Sequence, residues 1–428
     1  MFRALRHRNY QLFFGGQLIS LTGTWMQSVA ESWLVYRLTG SSALLGMSAF
    51  FAQIPVFLLA PIGGAVADRH DRHRILIATQ TASMVLPFIL SILTFTGLVH
   101  VWQVFALAAC LGVVNAFDIP ARQAFVLDMV GREDLLNAIA LNSSMVNGAR
   151  VVGPAVAGLL VAAVGEAWCF LINAVSYTAV ITGLVLMQVP RRRAAGPIAA
   201  PAALHDIAEG FRFVGRTAPV RAVLMLLGLV SLAGMPYAVL MPVFADSILR
   251  TGPRGLGVLM GASGLGALAG ALSLASRSGV RGLGRLVAAS ACAFGLALIA
   301  FSFSRTFWLS AALLVPVGGS MMVQMAASNT LLQAMVPDAL RGRVMSVYSM
   351  MFMGMAPFGA LFAGTLAEHV GAPHTVAIGG AVCVAAGAIF GLEIPAIRPE
   401  ARRLIVAHGL AGGDPPAEVT APGATVAP

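Results

Sequence analysis

The sequence predicts an all-α membrane protein with twelve transmembrane helices in two pseudo-symmetric six-helix halves. Three observations carry this prediction. Of the 428 residues, 58% are hydrophobic and only 10% are charged, with mean hydropathy +0.85. A soluble domain carries about 25% charged residues, so this chain could not cover a soluble core of its own size. The apolar residues form twelve long runs, and the arginines gather in short clusters between every second pair of runs.

A transmembrane helix needs about 20 mostly apolar residues. The candidate spans are 10–36, 43–67, 74–96, 100–119, 137–164, 167–189, 221–248, 255–276, 284–303, 306–327, 343–368 and 373–394. The runs are long and do not alternate, and lipid requires each segment to satisfy its own backbone, so helices are expected rather than strands. The formal net charge is +10, and every basic residue is arginine. With twelve spans and the N-terminus inside, 22 arginines fall on the cytoplasmic side, 4 fall outside, and Arg150 lies within the fifth span. That split follows the positive-inside rule, and one helix more or fewer would scramble it. The same spacing argues against a nucleic-acid surface, which would gather the charge on one polar face. The expected location is the bacterial inner membrane, with both termini cytoplasmic.

Residues 1–190 form the first half and 221–395 the second. Arg3, Arg6 and Arg8 precede a first span too long for a cleaved signal, so that span is expected to be retained. Residues 191–220 are a cytoplasmic linker. Within it Ile207, Phe211 and Val214 recur at helical spacing, which reads as a short amphipathic helix. The tail, 396–428, turns polar and rich in Pro, Ala and Gly, and is expected to be disordered. Cys110, Cys169, Cys292 and Cys383 lie singly in apolar runs, so neither a disulfide nor a metal site is expected. At a constant offset of 206 residues, Gly148, Gly153, Gly158 and Gly165 match Gly354, Gly359, Gly364 and Gly371. Duplicated halves are a feature of many secondary transporters, whose binding sites lie between the repeats.

The loop after the second span holds Gly64, Asp68, Arg69, Asp71, Arg72, His73 and Arg74. Charge alone allows two readings, a basic loop that obeys topology or a cluster that locks two helices together. The spacing of Gly64, Asp68, Arg69, Arg72 and Arg74 resembles the signature loop of the major facilitator superfamily. Asp71 stands where that superfamily often has Gly. The corresponding stretch from Gly270 to Arg285 keeps the glycine and the basic residues but lacks the Asp. A narrower resemblance covers residues 1–395. The strings Gly23-Thr-Trp-Met-Gln27, Trp33-Leu-Val-Tyr-Arg-Leu-Thr-Gly40, Asn115-Ala-Phe-Asp-Ile-Pro-Ala-Arg-Gln-Ala-Phe125 and Asn137-Ala-Ile-Ala-Leu-Asn-Ser143 resemble the enterobactin-exporter-like branch, the transmembrane secretion effectors. The resemblance implies the major facilitator fold and efflux, and leaves the substrate open. Gly153, Pro154 and Gly158 are similar to the glycine–proline motif of superfamily antiporters, although Gly148 precedes Gly153 by five residues where that motif has four.

Charged side chains inside a bilayer cost about 2.5–3.5 kcal/mol at its centre and usually face a cavity or a partner. Three such residues stand out, Glu31, Asp118 and Arg150. Gln17, Ser20, Thr24, Gln27 and Glu31 form a polar stripe along the first span. The family architecture implies that this stripe lines the central cavity. Glu31 then reads either as a proton or cation site or as an interfacial glutamate that reaches water beside Trp33 and Tyr36. Arg150 shares a face with Asn147 and Ser143. It reads as a site for an anionic substrate or as half of a structural ion pair, with Glu31 or Asp118 as partner. Asp118 and Arg122 lie one turn apart, and the resemblance implies an inner gate in which Asp118 meets Arg69 or Arg72. A local Asp118–Arg122 pair is compatible with that gate. Tyr237, Gln324 and Ser328 are further candidates for the cavity. Nine of the 20 methionines lie between Met321 and Met355, which suits an adaptable apolar surface as well as gap filling.

These features predict a secondary active transporter, proton-coupled and exporting a small amphipathic molecule of siderophore or drug-like kind by alternating access. An importer of the same fold is the nearest alternative. A GxxxxGK[ST] loop is absent from the sequence. His70, His73, His369 and His374 lie in loops or at helix ends, and no HExxH occurs, so an intramembrane enzyme is disfavoured. A membrane sensor would be expected to carry an output domain. The expected partners are a small-molecule substrate, protons and the lipid bilayer. Nucleic acid is not expected, nor any cofactor, and the protein is expected to act as a monomer.

Overall fold

A computed structural model gives the fold and describes residues 3–188, 200–277 and 279–407. Among these residues every regular element is helical. The first half opens with α1 (Arg8–Thr39), α2 (Ser42–Arg69) and α3 (Arg72–Phe95). A 64-residue run, Val101–Val164, is two helices, α4 and α5, that meet at Gly131. The φ of Gly131 is 71°, a left-handed value that an L side chain resists. The half closes with α6 (Glu166–Val185). A connecting helix, α7 (Ala200–Arg216), leads to α8 (Ala218–Ile248), α9 (Gly252–Ala275), α10 (Leu283–Phe303) and α11 (Phe307–Met335). The next span is broken at Gly354 into α12 (Asp338–Met353) and α13 (Met355–Val370), and α14 (Ala372–Ala407) ends the described chain.

Ten of these runs are long and apolar enough to cross a membrane. Val101–Val164 counts once among them but crosses twice, and α1, with its polar stripe, is the twelfth span. With twelve crossings, the arginine clusters lie on one face of the bundle, called here the basic face. Connections are short because local chemistry ends each helix where the next begins. Gly40 closes α1 at φ 63°, and Ser41 caps α2 by accepting from Leu44 N. Asp71 caps α3 in the same way through His73 N, at 3.0 Å.

Within the first half α1 packs on α5 and α6, α2 on α4, and α3 on α4 and α6. In the second half α9 packs on α11, and α10 on both α11 and α14. The halves meet along two seams, α5 against α9 and α2 against α13. Each seam is a contact of backbone on backbone. A Cβ on Gly158 would lie 2.8 Å from Gly257 Cα, and one on Gly46 would lie 3.0 Å from Gly364 Cα. Lipid gives apolar side chains no reason to leave it, so such interfaces rely on small residues that let backbones approach. Gly158 and Gly364 are a repeat pair in the sequence, and here they serve equivalent seams. Both seams lie near the face opposite the basic one. The hydrogen bonds that join the halves lie there too. Tyr36 shares one with Ser247 at 2.6 Å, and Glu368 accepts from Ser41 Oγ at 3.1 Å and Ala43 N at 3.2 Å.

Three expectations need correction. The fourth span was expected to end at residue 119 and instead runs on to Gly131, so Arg122 is a helical residue. Residues 396–407, expected in a disordered tail, extend α14 to Ala407, because Leu404 and Ile405 pack on the core of the second half. Residues 408–428 of that tail, 191–199 of the linker and 189–190 at the end of the first half lie outside the described residues. On the apolar face expected of α7, Val214 is buried but Phe211 is not. Gly210 is buried against the Arg343 backbone, and Glu209 is paired with Arg343.

Leucine at Gly158 or Gly364 should pry a seam apart while leaving each half folded. With the native cysteines replaced by serine, a Tyr36→Cys probe should react several-fold faster with a membrane-impermeant maleimide in the Gly158→Leu background. Unchanged labelling would show that the seam does not close that face.

Candidate functional site

Two polar assemblies occupy the bundle, one inside the first half and one between the halves. The first begins at the α2–α3 turn. Arg72 pairs with Asp68 and with Asp128, each at 3.1 Å, and donates to the Ala67 carbonyl at 3.1 Å, while Arg74 pairs with Asp71 at 3.7 Å. The loop therefore locks α2, α3 and α4 together. Asp118 was expected to meet Arg69 or Arg72, but the acid that meets Arg72 is Asp128. Asp128 lies ten residues further along α4, about 15 Å nearer the basic face. Its signal in the sequence was its place in the last turn of a fourth span that continues to Gly131.

Asp118 is buried and satisfied by its neighbours. It accepts from Thr79 and Gln80 of α3, both at 2.8 Å, and pairs with Arg122 at 3.3 Å. Arg122 reaches on to Gln17 at 3.2 Å. The polar stripe of α1 thus faces the interior of its own half rather than the central cavity. Thr24 meets the Tyr177 hydroxyl at 3.3 Å, and Gln27 accepts from Asn173 of α6 at 2.5 Å. Gln27 is also the polar side chain beside Glu31. Helical spacing shows that a polar stripe needs partners. It does not show whether they are water, a substrate or a neighbouring helix. Glu31 has no cationic partner among the described residues.

The offset of 206 residues maps Asp118 and Arg122 onto Gln324 and Ser328 of α11. There the pair is neutral. Gln324 donates to Ser328 at 3.4 Å, and both are buried. They were expected in the cavity and instead close on each other inside the second half. Asn147 is likewise turned away, donating to the Ser143 carbonyl of its own helix at 2.8 Å.

The second assembly centres on Arg150. Its guanidinium lies over the Trp25 ring, 5.0 Å from the centroid, a cation–π contact between α5 and α1. Gly153 permits it, since a Cβ there would come within 2.5 Å of Trp25 Cβ. Neither Asp118 nor Glu31 pairs with Arg150, nor does any other carboxylate among the described residues. Instead Arg150 borders a cavity of about 90 Å³ with Trp25, Pro154, Tyr237, Ser263 and Met321. The Tyr237 hydroxyl meets Ser263 Oγ at 2.7 Å. The residues come from both halves, α1 and α5 on one side and α8, α9 and α11 on the other. α8 is irregular here, with π-helical turns at Val230–Gly234 and Phe244–Ile248 flanking a 3-10 turn at Met235–Ala238. Pro236 and Pro242 break the regular ladder, and such turns often mark functional positions. Met235, Met241 and Met260 add a polarizable lining. Trp25 and Ser263 were not singled out by sequence, because a cation–π partner and a cross-helix hydroxyl pair leave no spacing signal.

Comparison with known proteins agrees with this architecture. The model of the transmembrane secretion effector family, a branch of the major facilitator superfamily, matches residues 1–407. The chain belongs to that family. It is 26% identical to the staphyloferrin A transporter of Staphylococcus aureus over 87% of this chain and 93% of that one. It is 25% identical to the enterobactin exporter EntS of Shigella boydii, over 84% and 85% of the two chains. It is 22% identical to macrolide efflux protein A of Streptococcus pyogenes, over 89% and 96%. Among solved structures, the nucleoside transporter NupG superposes with TM-score 0.69 at 15% identity, covering 93% of this chain and 99% of NupG. The protein is a multi-pass secondary transporter of major facilitator fold.

The neutral pair in the second half supplies a control for the charged pair in the first. Asp118→Gln alone leaves Arg122 without its carboxylate and should destabilise the protein by about 3 kcal/mol. Adding Arg122→Ser copies the Gln324–Ser328 arrangement and should restore much of that loss. Thermal unfolding in detergent reads both, and a double variant less stable than the single would refute the comparison.

Proposed function

We propose that the protein exports a small amphipathic molecule from the cytoplasm in exchange for protons, by rocking its two halves about the cavity at Arg150. One observation carries this reading. A cation deep in the bundle has an aromatic ring on one side, no carboxylate partner among the described residues, and a cavity shared by both halves. A purely structural arginine would be expected to have a paired acid. An acidic or strongly hydrogen-bonding group on a substrate would supply what Arg150 lacks, with Tyr237 and Ser263 as further polar contacts and the methionines against its apolar part.

The relatives named above handle siderophores and a macrolide, which supports efflux of a molecule in that range. The positive-inside rule makes the basic face cytoplasmic, places both termini there, and fits the bacterial inner membrane. On that orientation the seams and inter-half hydrogen bonds close the outer side, and the state described is sealed outward. Glu31 is the coupling group of this reading. It is a carboxyl within a span whose one neighbouring donor is an amide, so it can take up and release a proton without breaking an ion pair.

The test is substrate-dependent proton movement in proteoliposomes, with a catecholate siderophore, a cationic dye and lipophilic drugs as the panel. Wild type should release protons with at least one compound, and Glu31→Gln should abolish that coupling. Arg150→Met should weaken binding of the same compound by roughly 10- to 100-fold, the loss of one hydrogen bond to a charged group. Coupling that survives Glu31→Gln would remove that residue from the mechanism. Proton silence with every compound would count against proton-coupled export.

A further inference from the structure

The geometry points to a binding site for one anionic phospholipid on the flank of the second half, with its acyl chain between α9 and α10 and its phosphate at Arg277. This goes beyond the transport reading and does not depend on it. α9 and α10 each pack against α11, and between them they leave a sideways-opening groove of about 700 Å³ floored by α11. Gly266, Ala269 and Gly270 line one wall and Ala289 and Ala293 the other. The glycines let α9 close on α11, and the exposed alanines leave the groove open above that contact. It follows α9 from Gly266 to its end at Ala275, about 13 Å, and reaches Arg277 just beyond, close to half of a hydrocarbon core of roughly 30 Å. That length matches the acyl chains of one leaflet.

The chemistry at its mouth differs from that of the other half. In the first half the α2–α3 turn neutralises its arginines internally, through Asp68, Asp71 and Asp128. The α9–α10 turn keeps Arg277, Arg281 and Arg285 with no acidic residue between them. All three are exposed, and none pairs with a carboxylate among the described residues. Arg277 itself lines the groove. Three uncompensated cations at the basic face, above an apolar channel one leaflet deep, complement a phosphate that carries two acyl chains. A second observation lies inside. Ser290 is only 7% exposed and lines the groove, and its hydroxyl makes no hydrogen bond with any described residue. The glycerol esters of a lipid present acceptors for it.

The probes are phosphatidylglycerol, phosphatidylcholine with the same acyl chains, and soluble glycerol phosphate. Each is added to the purified full-length protein in nonionic detergent, and retained adducts are counted by native mass spectrometry. The expected result is one retained phosphatidylglycerol and no comparable retention of phosphatidylcholine or glycerol phosphate. Arg277→Gln, Arg281→Gln and Arg285→Gln together should weaken retention by about 100-fold, from the free energy each arginine gains at an anionic surface. Ala293→Phe fills the groove, leaves the arginines in place and should abolish retention, with Ala289→Leu as a milder second filler if the first fails to fold. Arg398→Gln, Arg402→Gln and Arg403→Gln together remove the same charge from α14 and should change nothing. The site is overturned if wild type retains no phosphatidylglycerol, if phosphatidylcholine binds equally, or if free glycerol phosphate binds as well as the lipid. It is also overturned if the filled groove still retains lipid, or if the α14 triple variant loses as much.

Discussion

Gly158 on Gly257 and Gly46 on Gly364 are the contacts that the remaining architecture is arranged around. In lipid, two six-helix halves gain little from burying apolar surface against each other, because the lipid tails they displace are equally apolar. What holds them is close backbone approach, available only where a Cβ is missing. The approach is tightest toward one end of the bundle, and on the α5–α9 seam it runs inward to Gly264, where a Cβ would lie 3.1 Å from the Arg150 carbonyl oxygen. There the Tyr36–Ser247 and Glu368 hydrogen bonds add direction to it. An interface made of van der Waals contact at one end costs little to separate, which a transporter that must exchange one closed end for the other requires.

The halves share a fold but not a charge distribution. The buried acid–base pair Asp118–Arg122 has Gln324–Ser328 as its counterpart, and the mixed-charge α2–α3 turn has a purely basic counterpart at α9–α10. Duplication preserved the helices and the seam pair Gly158 and Gly364, while Glu31, Asp118, Arg122 and Arg150 all lie in the first half. A pair of halves that move as rigid bodies can divide the work in this way. The first half carries the charged groups within the spans, Asp118, Arg122 and Arg150 among them, and the other supplies the facing wall of the cavity through Tyr237 and Ser263.

The spans, the repeat and the family were legible in the sequence because lipid imposes a coarse rule, about 20 apolar residues per crossing with arginines on one side. The boundaries were less so. Gly131 ends α4 by a backbone angle, and nothing in the apolar pattern marks that angle among 46 glycines. The partners of polar residues were least legible. Gln17, Thr24 and Gln27 lie on one stripe, as expected, but their partners Arg122, Tyr177 and Asn173 come from helices more than a hundred residues away. Arg150 was legible as an intramembrane charge, while Trp25, its contact, carried no spacing signal of its own.

The stripe and the cavity meet on α1. Trp25 and Glu31 are six residues apart, about 9 Å along the axis, and point to different sides of the helix. Trp25 faces α5 and the shared cavity, whereas Gln27, one turn before Glu31, is held by α6. Asn173 donates to the Gln27 oxygen, and that bond fixes which end of the amide remains for Glu31, namely the donor. Ser176 in turn donates to Asn173 at 3.2 Å, and Gly23 leaves both of them room, since a Cβ there would lie 2.5 Å from Asn173 Oδ1. The orientation of the group beside Glu31 is therefore set by the packing of α1 on α6. Any movement of α1 that follows occupancy at Arg150 and Trp25 would alter that packing. A substrate bound on one side of the helix and a proton held on the other would then sense each other through α1 without sharing a cavity.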